Sequence, residues 1–191
     1  TTVRRTVAFS PAIYEGKAEV EGIEGVRCDS LEEMVIAVAE RKIPVLEDPE
    51  CQLAMEWRPD VVVDAIIAKK NLGTTIRDAK IVIGVGPGFT AGADCHCVVE
   101  TKRGHDLGRV LWKGSAVPNT GVPGMIGGYA KERIIRASGD GIFKGMCRIG
   151  DLVEKGQLVG MAGENPIYAE IPGVVRGLLQ DGVPVKMGMK S

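Results

Sequence analysis

The segment 141-GIFKGMCRIGDLVEKG-156 has a near twin 32 residues later, 173-GVVRGLLQDGVPVKMG-188. In both copies glycine occupies the first, fifth, tenth and sixteenth positions, and valine occupies the thirteenth. A short strand, a glycine-marked bend and a second strand, repeated once, predict two β-hairpin units that pack face to face. Neither unit alone covers its apolar face, so the two are expected to fold together. Convergence of glycine-rich β segments is the alternative explanation.

This quasi-twofold pattern resembles the biotinyl and lipoyl carrier domains, which are barrel-sandwich hybrids. Those carriers place a lysine for modification on the tight turn between their two halves. The matching stretch here, residues 161–173, reads MAGENPIYAEIPG and carries Glu164, Asn165 and Pro166 at the turn. Because no amine is present there to be acylated, the resemblance implies the architecture without attached biotin or lipoate. Residues 105–191 are therefore predicted to form an all-β, barrel-sandwich-like domain.

Residues 1–104 show a different pattern, in which helix-like and strand-like segments alternate. The stretch DSLEEMVIAVAERK (29–42) has apolar residues at helical spacing and begins with a capping box formed by Ser30 and Glu33. The runs IPVLED, VVVDAII and KIVIGVG are typical of parallel strands that helices cover on both faces. The prediction for this part is an α/β domain with a partial Rossmann-like parallel sheet.

Charge and composition exclude several classes of function. Lys and Arg total 24 while Asp and Glu total 25, so no strong field attracts nucleic acid or an anionic membrane. The apolar runs are far shorter than the roughly 20 residues that cross a bilayer, and no signal-peptide pattern opens the chain. We therefore expect a cytoplasmic protein without nucleic-acid or membrane partners. Five cysteines, an odd number, fit reduced thiols better than a disulfide framework.

A glycine-rich loop follows the predicted strand at VIGVGPG, residues 82–88. Gly84, Gly86 and Gly88 would let main-chain N–H groups approach a phosphate or carboxylate at the carboxyl edge of the sheet, where open α/β sheets bind ligands. These glycines, together with Asp64, Lys69 and Lys70, are the predicted cofactor-binding residues. The spacing matches neither a Walker loop nor GxGxxG, so a tight turn without a ligand explains the same residues equally well.

The densest group of reactive side chains follows that loop, within DCHCVVETKRGHD (94–106). It contains both histidines of the chain and several carboxylates, which an acid–base site requires. We expect them to open onto one cleft, with these catalytic residues: Asp94, His96, Glu100, Arg103, His105 and Asp106. A zinc site is disfavoured, because adjacent strand residues point to opposite faces and no CxxC is present. A structural network of polar side chains is the other explanation.

A second candidate lies in DAIIAKKNLGT, residues 64–74. Asp64 interrupts an apolar strand, and Lys69 and Lys70 follow it, where two cations could hold an anionic substrate at the same sheet edge. An ordinary solvated lysine pair is the alternative. Asp64 requires partners, because a buried unpaired charge is costly.

Several long strings of the chain resemble one family. RRTVAFSPAIYEG, VVVDAIIAKKNLGT, GPGFTAGADCHCVVETKRGHDLGRV, PNTGVPGMIGGY and IPGVVRGLL look like YqeB-type selenium-dependent molybdenum hydroxylase system proteins, and the resemblance covers nearly the whole chain. It implies an accessory or maturation factor for these hydroxylases that handles a selenium donor or a nucleotide-containing cofactor, such as a dinucleotide or a molybdopterin-type cofactor. The implied partners are the hydroxylase or its maturation proteins, and homo-oligomerisation is a further expectation.

The resemblance also implies that the six candidate catalytic residues match family motif positions, whereas Cys95 and Cys97 are incidental. It further implies a strand with a Rossmann-type glycine turn before Thr1. Two alternatives remain open. One is a non-catalytic scaffold that docks the hydroxylase through the β domain, and the other is an NAD-dependent enzyme whose cofactor turn has been trimmed.

Overall fold

The computed structural model describes residues 7–121 and 124–190, and the protein is mixed α/β with several small sheets and few helices. The described residues form two units. The middle unit contains residues 48–121 and Gly124, and the terminal unit contains residues 7–47 and 125–190. This division differs from the predicted boundary at residue 104, because strand pairing in the middle unit continues as far as Ser115.

The amino-terminal segment of the terminal unit has two helices and a three-stranded sheet. Its elements are α1 (Ala12–Glu15), β1 (Lys17–Val20), β2 (Ile23–Arg27), α2 (Leu31–Ala39) and β3 (Ile43–Val45). The expected capping box starts α2: Ser30 Oγ accepts from the Glu33 N–H at 3.2 Å. The Glu33 carboxylate reaches one residue further back and accepts from the Asp29 N–H at 2.7 Å. Cys28, Met34 and Ala37 form the small core beneath this helix.

The IPVLED run forms β3 in this sheet, where it pairs in parallel with β2. The sequence pattern placed it in one sheet with VVVDAII. A continuous apolar run identifies a strand but not its neighbour, and that neighbour is chosen by pairing elsewhere in the chain.

The middle unit is built around a four-stranded sheet. Its elements are α3 (Gln52–Glu56), β4 (Val61–Asp64), β5 (Ile81–Val85), β6 (Thr90–Ala91), β7 (Cys97–Val99), β8 (Val110–Leu111) and β9 (Gly114–Ser115). The strand order is β4-β5-β7-β8; the first three strands are parallel, and β8 is antiparallel to β7. β6 and β9 form a separate antiparallel pair. The carboxyl ends of β4, β5 and β7 therefore lie at one edge.

The connections of this sheet are not of the Rossmann type. All of residues 61–99 are described, and no helix lies between β4 and β5 or between β5 and β7. One face packs on a buried cluster that includes Val82, Phe89, Cys95 and Val98. On the strands themselves, Val61, Val63 and Ile81 remain 45%, 55% and 47% exposed. The expected helices on both faces are therefore not found in this stretch.

The carboxyl-terminal segment of the terminal unit is rich in short strands. After a 3₁₀ turn at Lys131–Arg133 come β10 (Gly141–Gly145), β11 (Leu152–Val153), β12 (Leu158–Ala162), β13 (Asn165–Tyr168), β14 (Gly173–Val174) and β15 (Pro184–Val185). The order β13-β12-β10-β15 makes one sheet, and β11 pairs with β14. None of the sheets formed by the described residues closes on itself.

The two copies of the repeat exchange strands. The first strand of each copy pairs with the second strand of the other, in an arrangement that maps onto itself at an offset of 32 residues. The corresponding residue pairs are Gly141–Val185 with Gly173–Val153, and Ile142–Pro184 with Val174–Leu152. Main-chain hydrogen bonds follow the same rule, as in Gly150 to Val175 with Gly182 to Phe143, and Gly156 to Ala169 with Gly188 to Ala137.

The exchange buries a core between the copies. Phe143, Val159, Ile167 and Leu178 are each at most 2% exposed, and they belong to one cluster of buried residues. The longest helix of the described residues, α2, has nine residues, and none of the helices among them has the length and apolar composition needed to cross a bilayer.

Candidate anion-binding site

A pocket of about 370 Å³ lies in the middle unit, lined by segments that follow the carboxyl ends of β5 and β7. Pro87 comes from the loop after β5, and Thr101–Arg103 come directly after β7. A third wall begins at Val117. The complete lining consists of Lys69, Pro87, Thr101, Lys102, Arg103, Val117, Pro118, Asn119, Thr120 and Gly124. The pocket therefore occupies the edge of the sheet at which a ligand was expected.

The charges around this pocket have one sign. Lys69, Lys102 and Arg103 line it, and none of the described lining residues carries a carboxylate. Over residues 7–121 and 124–190, none of these three cations forms an ion pair with a carboxylate. Clustered cations in a concave site raise the local concentration of anions. Asn119 and Thr120 add polar groups that can orient a bound oxyanion.

Glu100 holds two walls of the pocket together. The side chain is 4% exposed, and its Oε1 accepts from the Lys102 N–H at 2.7 Å, whereas Oε2 accepts from the Val117 N–H at 2.8 Å. Hydrogen bonds from the Val117 and Lys102 main chain lower the pKa of this carboxyl, against the opposing effect of burial. Glu100 is thus an ionised anchor behind the cations, and it acts on a ligand through the loops that it positions.

Asp64 holds the loop that carries Lys69. Its Oδ2 accepts from Thr74 Oγ1 at 2.6 Å, and its Oδ1 accepts from the Ile66 N–H at 3.1 Å. Both bonds tie the loop after β4 to the end of the strand, which explains how a carboxylate that is 9% exposed is tolerated. Asp64 is therefore a loop anchor. Lys69 lies on that loop with a left-handed φ of 67° and reaches the pocket.

The three glycines after β5 make room for the protein's own atoms. A Cβ on Gly84 would lie 2.5 Å from the Phe89 ring, and one on Gly88 would lie 2.6 Å from the Cα of Lys70. Gly86 has a φ of 86° and donates its N–H to the Val99 carbonyl at 2.9 Å. Contacts with Phe89 and with the main chain of Lys70 thus explain Gly84 and Gly88, and the positive φ explains Gly86. Their role in cofactor binding stays a prediction.

The two histidines lie at opposite ends of β7. His96 precedes the strand, and its Nδ1 accepts from the Val82 N–H at 3.0 Å, at the start of β5. This hydrogen bond holds the imidazole against the main chain of β5. His105 lies on the exposed loop after β7. The structure therefore does not bring the two imidazoles into one cleft, because a strand of the sheet separates them.

The remaining predicted residues also divide between the two ends. Asp94 caps the turn after β6 by accepting from the Thr90 N–H at 2.7 Å. Asp106 forms an exposed ion pair with Arg109 at 3.1 Å, a kind of contact that contributes little stability. Of the six candidate catalytic residues, Arg103 lines the pocket and Glu100 supports it.

Cysteine chemistry does not contribute to this site. Cys95 is fully buried, and burial raises the pKa of its thiol, which keeps it protonated and unreactive. Within the described residues no group of three or more His, Cys, Asp or Glu side chains could hold a metal ion.

Sequence reasoning missed Lys102 and Thr101. The signal was available in the tetrapeptide ETKR, residues 100–103, which follows a buried strand directly. Cations at the carboxyl end of a parallel strand face the edge where ligands bind.

Comparison with known proteins identifies a relative of this chain. No protein-family model matches the chain. Over 190 residues and 100% of its own length, however, the chain is 47% identical to the protein named "Uncharacterized protein YqeB" of Escherichia coli (strain K12). The sequence similarity supports the YqeB family. The chain spans 35% of the length of that YqeB protein, so about two thirds of the relative lies outside the alignment.

Two solved structures are similar to part of the chain, each covering 42% of it at 22% identity. One is an aspartoacylase family protein from Mesorhizobium loti, with a TM-score of 0.29 and 26% of that chain covered. The other is the ectoine utilization protein EutE (DoeB) from Ruegeria pomeroyi, with a TM-score of 0.21 and 28% of that chain covered. At these scores neither likeness informs the fold or the chemistry of the middle unit.

Proposed function

We propose that the middle unit binds a phosphate-bearing ligand, and that the chain serves as part of an accessory factor that matures selenium-dependent molybdenum hydroxylases. The ligand would be a nucleotide-containing cofactor or a phosphorylated selenium donor. One observation carries the binding proposal: Lys69, Lys102 and Arg103 line one pocket, in which none of the described lining residues carries a carboxylate. The hydroxylase setting comes from the sequence resemblance alone.

The geometry favours binding over acid–base catalysis. The pocket offers cations and hydrogen-bonding groups, whereas the His96 ring is hydrogen-bonded near the start of β5, outside the pocket lining. An arginine beside lysines suits an oxyanion, because the guanidinium donates two parallel hydrogen bonds and the ammonium adds a point charge. We therefore expect a cofactor-handling role in which Arg103 and Lys102 hold the phosphate.

Calorimetric titration with ADP and NAD, each with adenosine as the phosphate-free control, tests the binding proposal. ADP should bind and adenosine should not. Because a charge-assisted hydrogen bond contributes about 1.5–3 kcal/mol, Lys102→Ala combined with Arg103→Ala should weaken ADP binding at least about tenfold. Lys113→Ala is the matched control, since Lys113 is exposed on the same unit and outside the pocket lining.

Absence of ADP and NAD binding would defeat the nucleotide form of the proposal. Equal affinity in the double variant and the Lys113 control would defeat the assignment of the phosphate to Lys102 and Arg103. The maturation role needs the full-length protein. Arg103→Ala should leave the protein folded and abolish activation of a selenium-dependent molybdenum hydroxylase in cells that lack the wild-type factor. Normal activation by that variant would instead favour the scaffold alternative, in which docking matters and the pocket does not.

A further inference from the structure

A second pocket, of about 550 Å³, lies in the terminal unit between matching parts of the two repeat copies. One wall comes from Gly145–Arg148 and Asp151, and the other from Leu178, Gln180 and Asp181, while Glu15 of α1 adds a third carboxylate to the lining. The first wall begins at the end of β10, and the second follows β14. The two segments align with each other at the 32-residue offset of the repeat. The strand exchange therefore brings two copies of the same loop to one cavity.

The two copies of this loop differ in the side chains that they contribute. Glycines of the repeat are identical in both copies, whereas the lining positions are not: Met146 corresponds to Leu178, and Arg148 corresponds to Gln180. The backbone arrangement is thus duplicated, but no polar side chain of the lining is repeated at the matching position of the other copy. A symmetric scaffold with an asymmetric lining can recognise an asymmetric molecule.

Gln180 provides an unused hydrogen-bond acceptor. Its Oε1 is buried, and no described residue donates to it. Leaving a buried acceptor without a donor is costly, and native structures contain few such groups. Because Gln180 lines the pocket, a bound molecule with an N–H group could supply the missing donor.

Opposite charges face the same cavity without pairing. The Arg148 guanidinium is exposed and forms no ion pair with the described residues. Asp151 accepts the Arg148 main-chain N–H at 2.7 Å through Oδ2, and Asp181 accepts the Gly145 N–H at 2.8 Å through Oδ1. Each carboxylate is fixed by one oxygen, and its other oxygen accepts no hydrogen bond from a described residue.

We infer that this pocket binds a small zwitterion with an ammonium and a carboxylate group, as in an amino acid or a short peptide. The carboxylate pairs with Arg148, the ammonium lies near Asp151 and Asp181, and an N–H donates to Gln180 Oε1. Met146 and Leu178 provide the apolar wall for a side chain. This site lies in the terminal unit, so the inference does not depend on phosphate binding by the middle unit.

Nuclear magnetic resonance of the ¹⁵N-labelled protein tests the inference directly. The probes are the twenty amino acids and a set of dipeptides, each at up to about 10 mM, a range that detects weak binding. The side-chain amide of Gln180 and the main-chain amide of Gly145 should shift with at least one probe. Methyl esters and N-acetyl derivatives of that probe should lose the effect, because each removes one of the two charges. Amino acids and dipeptides separate the two sources of the same chemistry.

Arg148→Gln makes the two repeat copies alike at this position, so the fold should tolerate it. It should weaken binding about tenfold or more, as expected for a lost charge-assisted contact. The control is Arg176→Gln, which removes an exposed arginine outside the pocket lining. Gln180→Leu should abolish binding and leave the free protein as stable as before or more stable, which a purely structural role would not produce.

No shift with any probe, or unchanged affinity in Arg148→Gln, would overturn the inference. Shifts that survive both esterification and acetylation would also reject it, because they would show binding that ignores the two charges.

Discussion

The main-chain N–H of Val117 donates a 2.8 Å hydrogen bond to Oε2 of Glu100, which lies 17 residues earlier in the chain. The other carboxylate oxygen accepts from the Lys102 N–H. One buried side chain therefore fixes the segment that carries two of the pocket's cations and also the start of the opposite wall. The position of these cations depends on the ionisation of a residue that is itself outside the lining of this pocket.

Acidification should weaken the middle unit through Glu100. Its folded-state pKa is lowered, chiefly by the Val117 hydrogen bond, so its contribution to stability is present above the unfolded-state pKa and lost as pH falls through the folded-state value. Glu100→Gln should cost about 1–3 kcal/mol at pH 7 and should flatten the fall in stability below pH 4.5, the ordinary value. Urea unfolding at pH 7 and at acidic pH measures both effects. Glu56→Gln, at an exposed position, should change neither, and a Glu100 variant that matched it would contradict the anchoring role.

Alanine substitutions at Gly88 and Gly92 distinguish the cost of backbone strain from the cost of a steric clash. Both have positive φ, 116° and 86°, but a Cβ on Gly88 would lie 2.6 Å from the Cα of Lys70, whereas nothing lies within 4 Å of one on Gly92. Gly92→Ala should cost about 1–2 kcal/mol for the left-handed conformation alone. Gly88→Ala should cost at least about 3 kcal/mol, because main-chain atoms must also move. Thermal and urea unfolding measure the stability of both variants. Equal losses of stability would show that the loop after β4, which contains Lys70, moves aside at no cost.

Local chemistry made parts of this fold predictable. Ser30 and Glu33 cap α2 because capping is decided within one turn, and the runs around Val62 and Val82 form parallel strands as expected. The partner of a strand is a long-range choice. The pattern therefore could not show that Ile43–Val45 joins β2, or that β8 continues the middle sheet beyond residue 104.

The candidate site was predictable only in part, for a similar reason. Composition singled out segment 94–106, of which Thr101–Arg103 line the pocket, and the sheet edge followed from parallel pairing. Side chains on either side of β7 are close in sequence, yet a strand rises about 3.3 Å per residue, so His96 and Arg103 face different ends of the sheet. The glycines after β5 were ambiguous, because a glycine that admits a ligand and one that admits Phe89 have the same sequence signal.

The repeat allows one substitution to be compared in two environments. Gly141 and Gly173 are twins with φ of 153° and 156°, but a Cβ on Gly141 would lie 2.5 Å from the Gly163 nitrogen, whereas one on Gly173 would meet nothing within 4 Å. Backbone strain is thus shared and the clash is not. Gly173→Ala should cost about 1–3 kcal/mol, and Gly141→Ala should cost at least about 2 kcal/mol more, from overpacking. Urea unfolding of both variants measures the difference, and a larger loss at Gly173 would contradict the steric account.

The hydrogen bond from Thr74 Oγ1 to Asp64 Oδ2, 2.6 Å long, should couple loop geometry to ligand binding. Thr74→Val keeps the shape of the side chain and removes the donor, which leaves a carboxylate oxygen of a buried residue unsatisfied at a cost of about 1–3 kcal/mol. The loop from Asp64 to Thr74 carries Lys69 into the pocket, so ADP affinity should also fall, by about threefold or more. Thr74→Ser retains the hydroxyl and should preserve both stability and affinity. Loss of stability in Thr74→Val with unchanged ADP affinity would show that Lys69 contributes nothing to the bound ligand, and the site would then consist of Lys102 and Arg103 alone.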